Sequence, residues 1–130
     1  RAALDDAQMP PDAIHLVNAH GTSTPLNDVV ETGAIKTVFG DHAYKLKVNA
    51  TKSMLGHVCW AAATVETVAS IQQMKHGKLH PSINIDELDP QIDLDVCRGK
   101  AVEHDVKIFM KNSFGFGGIN AVSLFKRWEA

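Results

Sequence analysis

Ile14-His15-Leu16-Val17-Asn18-Ala19 runs directly into His20-Gly21-Thr22-Ser23-Thr24-Pro25. The first six residues are a short apolar run bounded by turn signals, which reads as a buried strand. The next six are small and polar and read as a loop. Asn27 or Asp28 can cap a helix through its side-chain oxygen. Val30, Ala34, Ile35 and Val38 then follow at helical spacing until Gly40 stops the helix. Leu46-Lys47-Val48-Asn49 is a second strand. A strand, a helix and a strand in this order set the expected architecture as α/β layered, with a mostly parallel sheet and flanking helices.

The flanks agree. Upstream, Arg1 to Gln8 (RAALDDAQ) reads as the last turns of a helix, broken by Pro10-Pro11-Asp12. With Arg1 in first place, the chain is expected to be a piece of something longer or a trimmed product. Downstream, Thr51 to Gly56 is a second loop of small and polar residues. Val58 to His76 is a long helical segment stopped by Gly77. Its first half (VCWAAATV) is apolar nearly all round and is expected to be buried. Its second half sets Val68, Ile71 and Met74 against Gln72, Gln73 and Lys75. Pro81 to Pro90 is irregular. Val106 to Met110 is a strand, Ser113 to Gly118 a Gly-Phe-rich turn, and Ala121 to Phe125 a last strand. These two strands are expected to pair as a hairpin with a long turn, giving the sheet an antiparallel edge.

Composition narrows the function. The 130 residues carry 13 Lys+Arg, 15 Asp+Glu and a net charge of -2, with 45% apolar residues. One domain of this length buries a real core. The charge lacks the basic excess of a nucleic-acid or anionic-membrane binder. No apolar run approaches the length of a membrane span. Cys59 and Cys97 make no disulfide framework, which fits a reducing, cytoplasmic setting.

Three loops follow expected strands, where open α/β sheets place their sites. His20 can donate a hydrogen bond to a developing oxyanion or exchange protons, or be a polar residue at a strand end. Lys52 and His57 flank a loop leading into a helix, whose N-terminus favours negative charge. A His there tends to stay neutral, and a Lys nearby adds positive field; both could also be solvated. Asn112 to Gly118 (NSFGFGG) lets a backbone approach a ligand closely or is a plain hairpin turn. It completes neither a dinucleotide fingerprint nor a phosphate loop. His76 and His80 are spaced i, i+4, but Gly77 and Pro81 break any helix holding both, so they are expected to face solvent. No metal site is expected. Cys59 reads as inert packing in a buried helix, and Cys97 has no neighbouring base.

Together the loops resemble the C-terminal half of a β-ketoacyl-acyl carrier protein synthase of the type II elongating kind. The matching strings are Asn18 to Asp28 (NAHGTSTPLND), Thr51 to His57 (TKSMLGH) and Asn112 to Asn120 (NSFGFGGIN), in family order. The resemblance implies a thiolase-like fold of two α/β halves, a homodimer, and residues 1–130 as the second half only. The nucleophilic Cys would lie in the absent N-terminal half, and neither cysteine here stands in its motif. The implied reaction is decarboxylative Claisen condensation of an acyl thioester with malonyl-acyl carrier protein. The chain would need no cofactor of its own, since its substrates ride on the phosphopantetheine of the carrier protein. His20 and His57 would hydrogen-bond the malonyl thioester oxygen, and Lys52 would support His57 and the local field. Thr22 and Thr24 would bind the phosphopantetheine arm. Phe116 would gate the acyl pocket, with its N–H in the oxyanion hole. Glu31 and Glu66 would organise the site from behind.

The implied partners are acyl carrier protein and the N-terminal half. A rival reading is a non-catalytic partner subunit that shapes chain length, although retained His20, Lys52 and His57 argue for the enzyme. Leu55 stands where the family has Thr, and Trp60 and Ala63 where it has Gly; Ile119 occupies a variable slot. The indole of Trp60 is expected to displace neighbours or fill a pocket, at about 1–3 kcal/mol if nothing yields.

Overall fold

The computed structural model describes residues 1–129. Helix α1, Ala2–Asp6, leads through Pro10 and a 3-10 turn at Pro11–Ala13 into strand β1, Leu16–Asn18. Helix α2, Asn27–Phe39, follows, then a 3-10 turn at Gly40–Tyr44 and strand β2, Lys47–Asn49. The single-turn helix α3, Lys52–Leu55, and a 3-10 turn at Cys59–Ala61 precede helix α4, Ala62–His76. Strand β3, Lys78–Leu79, pairs antiparallel with β4, Val102–Glu103. Strands β5, Ile108–Gly115, and β6, Ile119–Lys126, close the chain as a hairpin.

The main sheet has the order β2-β1-β5-β6. β1 runs parallel to β2 and β5, and β6 is the antiparallel edge, as the sequence implies. Parallel pairing brings the carboxyl ends of β2, β1 and β5 to one edge. All three candidate loops leave from that edge. Asn18 sits in register with Asn49 on one side and Lys111 on the other.

Strand periodicity of two sorts the residues onto the two faces. Val17, Val48, Ile108 and Met110 pack toward α2 with Ile35, Phe39, Leu46 and Leu94. Leu16 and Phe109 pack with Met74 of α4, Leu79, Cys97 and Val106, and Phe109 stacks on Phe125 at 4.8 Å. Near the carboxyl edge the α4 side turns polar. Asn18 donates to the Asn49 side chain at 3.0 Å and to the Thr51 hydroxyl at 2.9 Å. Asn49 in turn donates to Gln73 of α4 at 2.6 Å.

That polar patch inverts the helix above it. The buried residues of α4 are Ala62, Glu66, Ser70, Gln73 and Met74, whereas Val65, Val68 and Ile71 face outward. The expected alignment of Val68 and Ile71 with the core is therefore wrong. The apolar segment preceding the helix is also exposed rather than buried, Val58 and Cys59 included, and Trp60 is fully exposed. The indole displaces nothing within this chain. Apolar periodicity signals which face is covered, but not by what. Here it marks a face left open on this chain.

Other expectations need correction. Neither Asn27 nor Asp28 caps α2: the cap position is Leu26, and the Asp28 carboxylate accepts the Ser23 N–H instead. The Thr51–Gly56 loop contains a helical turn. The hairpin turn is short, because β5 continues to Gly115 and β6 begins at Ile119. Gly117 and Gly118, at φ +81° and +82°, supply the positive dihedrals for so tight a reversal. His76 is exposed, but His80 is half-buried, bonded through its ring to the Thr51 hydroxyl and the Pro81 carbonyl. Cys97 is buried and its thiol is pushed up to about 11, chiefly by desolvation, which removes it as a nucleophile. Among the described residues no helix is long and apolar enough to cross a membrane, and no three His, Cys, Asp or Glu side chains gather as a metal site.

Candidate active site

His20 leaves β1 two residues past its last strand position. Its backbone is clamped from the α2 side by Glu31. One carboxylate oxygen accepts the His20 N–H at 2.9 Å and the Asn112 amide at 3.0 Å; the other accepts the Gly21 N–H at 3.0 Å. Asn112 shares the α2-facing parity of Met110, which explains how a β5 residue reaches Glu31. Gly21 makes the turn possible. It sits at φ +51°, and a Cβ there would lie 2.6 Å from Cβ of Ala50, in the loop that carries Lys52. Gly21→Ala is expected to destabilise the fold by about 2–4 kcal/mol, combining a left-handed penalty with overpacking. Thermal or denaturant unfolding checks this; an effect within experimental error would mean the two loops are free to part.

Lys52 approaches from the α4 side. Its ammonium donates to the His20 carbonyl at 2.6 Å, meets Glu66 Oε1 at 2.8 Å, and lies 3.4 Å from His20 Nδ1. An imidazole nitrogen facing an ammonium can only accept, so the His20 proton resides on Nε2. Burial first, and then the Lys52 charge, hold the His20 imidazole below its ordinary value. It stays neutral at neutral pH, with its single N–H on Nε2.

His57 is exposed. Its Nδ1 accepts the Cys59 N–H at 3.0 Å, which likewise leaves the proton on Nε2. The two imidazole rings stand 6.0 Å apart, edge to face at 87°, and Phe114 packs on His20 with centroids 5.4 Å apart. Two Nε2–H donors thus belong to neighbouring rings. A cavity of about 350 Å³ opens beside His57, lined by Thr22, Lys52 and His57 on its polar side and Ile35, Val48 and Ile85 on its apolar side, with Ala19 and Gly21, the chain neighbours of His20, in its wall.

The structure brings His20, Lys52, His57, Glu31 and Glu66 together. It alters one relation: Lys52 contacts His20, not His57. Thr22 and Thr24 lie at the surface with their hydroxyls 3.1 Å apart, and Phe116 projects fully into solvent at the hairpin tip. Sequence reading missed Lys111, whose ammonium meets Glu66 Oε2 at 2.6 Å. It also missed the Asn18–Asn49–Thr51 network beneath Lys52. A lysine continuing the apolar strand Ile108-Phe109-Met110 was the available signal, hidden by ending that strand at Met110.

The family model described as beta-ketoacyl synthase, C-terminal domain, matches residues 1–86. The chain is similar to 3-oxoacyl-[acyl-carrier-protein] synthase 2 of Synechocystis sp., 43% identical over 127 residues, covering 98% of this chain and 30% of the relative. It is 45% identical over 130 residues to the protein of that name from Staphylococcus aureus (strain COL), covering 100% of this chain and 31% of the relative. Among solved structures, a type II polyketide acyl-carrier protein in complex with its ketosynthase superposes with a TM-score of 0.95 at 38% identity, over 98% of this chain and 31% of that one. The ishigamide ketosynthase/chain length factor superposes at 0.93 and 42% identity, over 99% and 32%. The chain spans less than a third of the length of these curated relatives.

Proposed function

Because this chain belongs to the β-ketoacyl synthase C-terminal domain family, we propose that it supplies the enolate-stabilising half of a 3-oxoacyl-acyl carrier protein synthase. The reaction is condensation of an acyl thioester with malonyl-acyl carrier protein. Loss of carbon dioxide breaks the carbon–carboxylate bond of the malonyl group and leaves its electron pair on the α-carbon, delocalised onto the thioester oxygen. The resulting carbanion then attacks the acyl thioester carbonyl and expels the thiolate.

The observation that carries this reading is the pair of Nε2–H donors of His20 and His57, on rings 6.0 Å apart, with the Lys52 ammonium against His20. Donors fixed beforehand stabilise charge that appears only during reaction, without reorganising. His20 and His57 donate to the thioester oxygen, and Lys52 locks the His20 tautomer and adds positive potential. Glu31 and Glu66 hold the His20 loop and Lys52. Thr22, which lines the cavity, and Thr24, whose hydroxyl lies 3.1 Å from that of Thr22, bind the phosphopantetheine arm of the carrier protein. Phe116 gates the acyl pocket and contributes its N–H to an oxyanion hole.

By the family resemblance the nucleophilic cysteine belongs to an N-terminal half; Cys97 is buried here and Cys59 does not stand in that motif. That half covers the exposed apolar face of Trp60, Val65, Val68 and Ile71. The assembly is a cytoplasmic homodimer and brings no cofactor of its own. Release of carbon dioxide from malonyl-acyl carrier protein by the complete protein tests the reading. Condensation should accompany it when an acyl donor is present, and no release with a correctly folded protein would sink the reading.

A further inference from the structure

On the reading that this chain serves a condensing synthase, we propose that Lys111 is a positioning residue for the reaction: its ammonium shares Glu66 with Lys52 and so leaves Lys52 with positive charge to spare beside His20.

The placement follows from strand parity. Lys111 lies in register with Asn18, on the face that Phe109 presents to α4, and is 3% exposed. Its ammonium meets Glu66 Oε2 at 2.6 Å and the Ala19 carbonyl at 3.4 Å, and it donates to the Asn112 carbonyl. Three N–H groups thus face three acceptors, and none is left for a substrate. Lys111 acts through its neighbours. By holding the Ala19 carbonyl it ties the end of β1, one residue before His20, to β5.

Glu66 is 2% exposed and lies between the two ammoniums. Lys52 and Glu66 alone would sum to zero, a neutral pair with little field at the imidazoles. Lys111 raises the sum of the three to one positive charge. In a site of low dielectric that difference acts strongly on a nearby anion. A buried lysine is costly to keep charged: burial pushes Lys111 below its ordinary value, and Glu66 pulls it back up. The remaining carboxylate, Glu31, approaches from the α2 side and is occupied by the N–H groups of His20 and Gly21 and the amide of Asn112. The groups facing His20 are therefore Lys52 from α3, Glu66 from α4, Lys111 from β5, Glu31 from α2, the His57 ring, and uncharged Phe114.

The test uses the complete protein, with carbon dioxide release from malonyl-acyl carrier protein as one readout. NMR titration of His20 in carbon-13 histidine-labelled protein is the second. Lys111→Met should lower kcat on the order of tenfold, the rate equivalent of one pKa unit of lost field, with KM near its starting value. It should also raise the His20 midpoint and move the acid limb of the pH–rate profile upward. Lys111→Gln/Glu66→Gln leaves a neutral pair and an uncompensated Lys52, and should recover most of the lost kcat and restore the midpoint. A Lys111→Met protein with reduced stability but unchanged kcat and His20 midpoint would overturn the proposal, as would a double variant no better than the single one. Lys111→Gln carries the same comparison if the Met variant does not fold. A parent protein that releases no carbon dioxide would remove the functional reading, and the titration would still decide the role of Lys111.

Discussion

His57→Ala in the complete protein is expected to slow malonyl decarboxylation about 100- to 1000-fold, the usual cost of one preorganised oxyanion donor. The substitution removes an exposed ring whose local structural tie is the Cys59 N–H on Nδ1. Stability should therefore hardly change. The loss should fall on kcat rather than KM, because the thioester oxygen carries its charge only in the transition state. His20→Ala should lose a similar factor. Its loop should stay in place, since Glu31 and Lys52 bind the backbone N–H and carbonyl of residue 20 rather than its ring. Rapid-quench measurement of carbon dioxide release on both variants checks this, and wild-type rates for either would remove that ring from the mechanism.

The acid limb of the wild-type profile is a related expectation. Burial and Lys52 lower the His20 pKa, so the neutral ring, with its Nδ1 lone pair facing the Lys52 ammonium, persists below the ordinary imidazole value of 6.5. The same shift fixes the sign for stability. Between the lowered value and 6.5 the unfolded chain binds more protons at His20 than the folded one. The His20 contribution to stability therefore rises with pH across that window and is lost as pH falls through it.

Glu66→Ala should be the most damaging single substitution for folding. It leaves Lys52 and Lys111, 8% and 3% exposed, as two buried ammoniums without their shared counter-ion. Removing one partner from a buried ion pair costs about 3–5 kcal/mol, because the remaining charge keeps its desolvation penalty. Glu66→Gln should cost less, since the amide oxygen can still accept from one lysine. Denaturant unfolding of the complete protein measures both. A loss below about 1 kcal/mol, the value of an exposed pair, would mean that water reaches the lysines.

The order of elements was legible because apolar runs and breakers act locally. Ile14 to Ala19 and the stops at Gly40 and Gly77 each reflect preference within a few residues; the apolar spacing from Val30 to Val38 placed the helix but not its buried face, which is Glu31, Thr32, Ile35 and Phe39 while Val30 and Ala34 are exposed. His20, Lys52 and His57 could be singled out because each stands just past a strand of a parallel sheet. Their roles came from resemblance to a family, not from spacing.

Tertiary structure decided the rest, for one physical reason: burial is a property of pairs of surfaces. Val65, Val68 and Ile71 look like core residues along the chain, yet the sheet edge beneath α4 carries Asn18, Asn49 and Lys111 and pairs with Glu66 and Gln73 instead. The contact of Lys52 with His20 rather than His57, and the sharing of Glu66 by two lysines far apart in sequence, depend on strand register and parity. The chain alone determined which segments are strands and helices and where the sheet would present its loops. Only packing across the two faces of that sheet determined which charges meet.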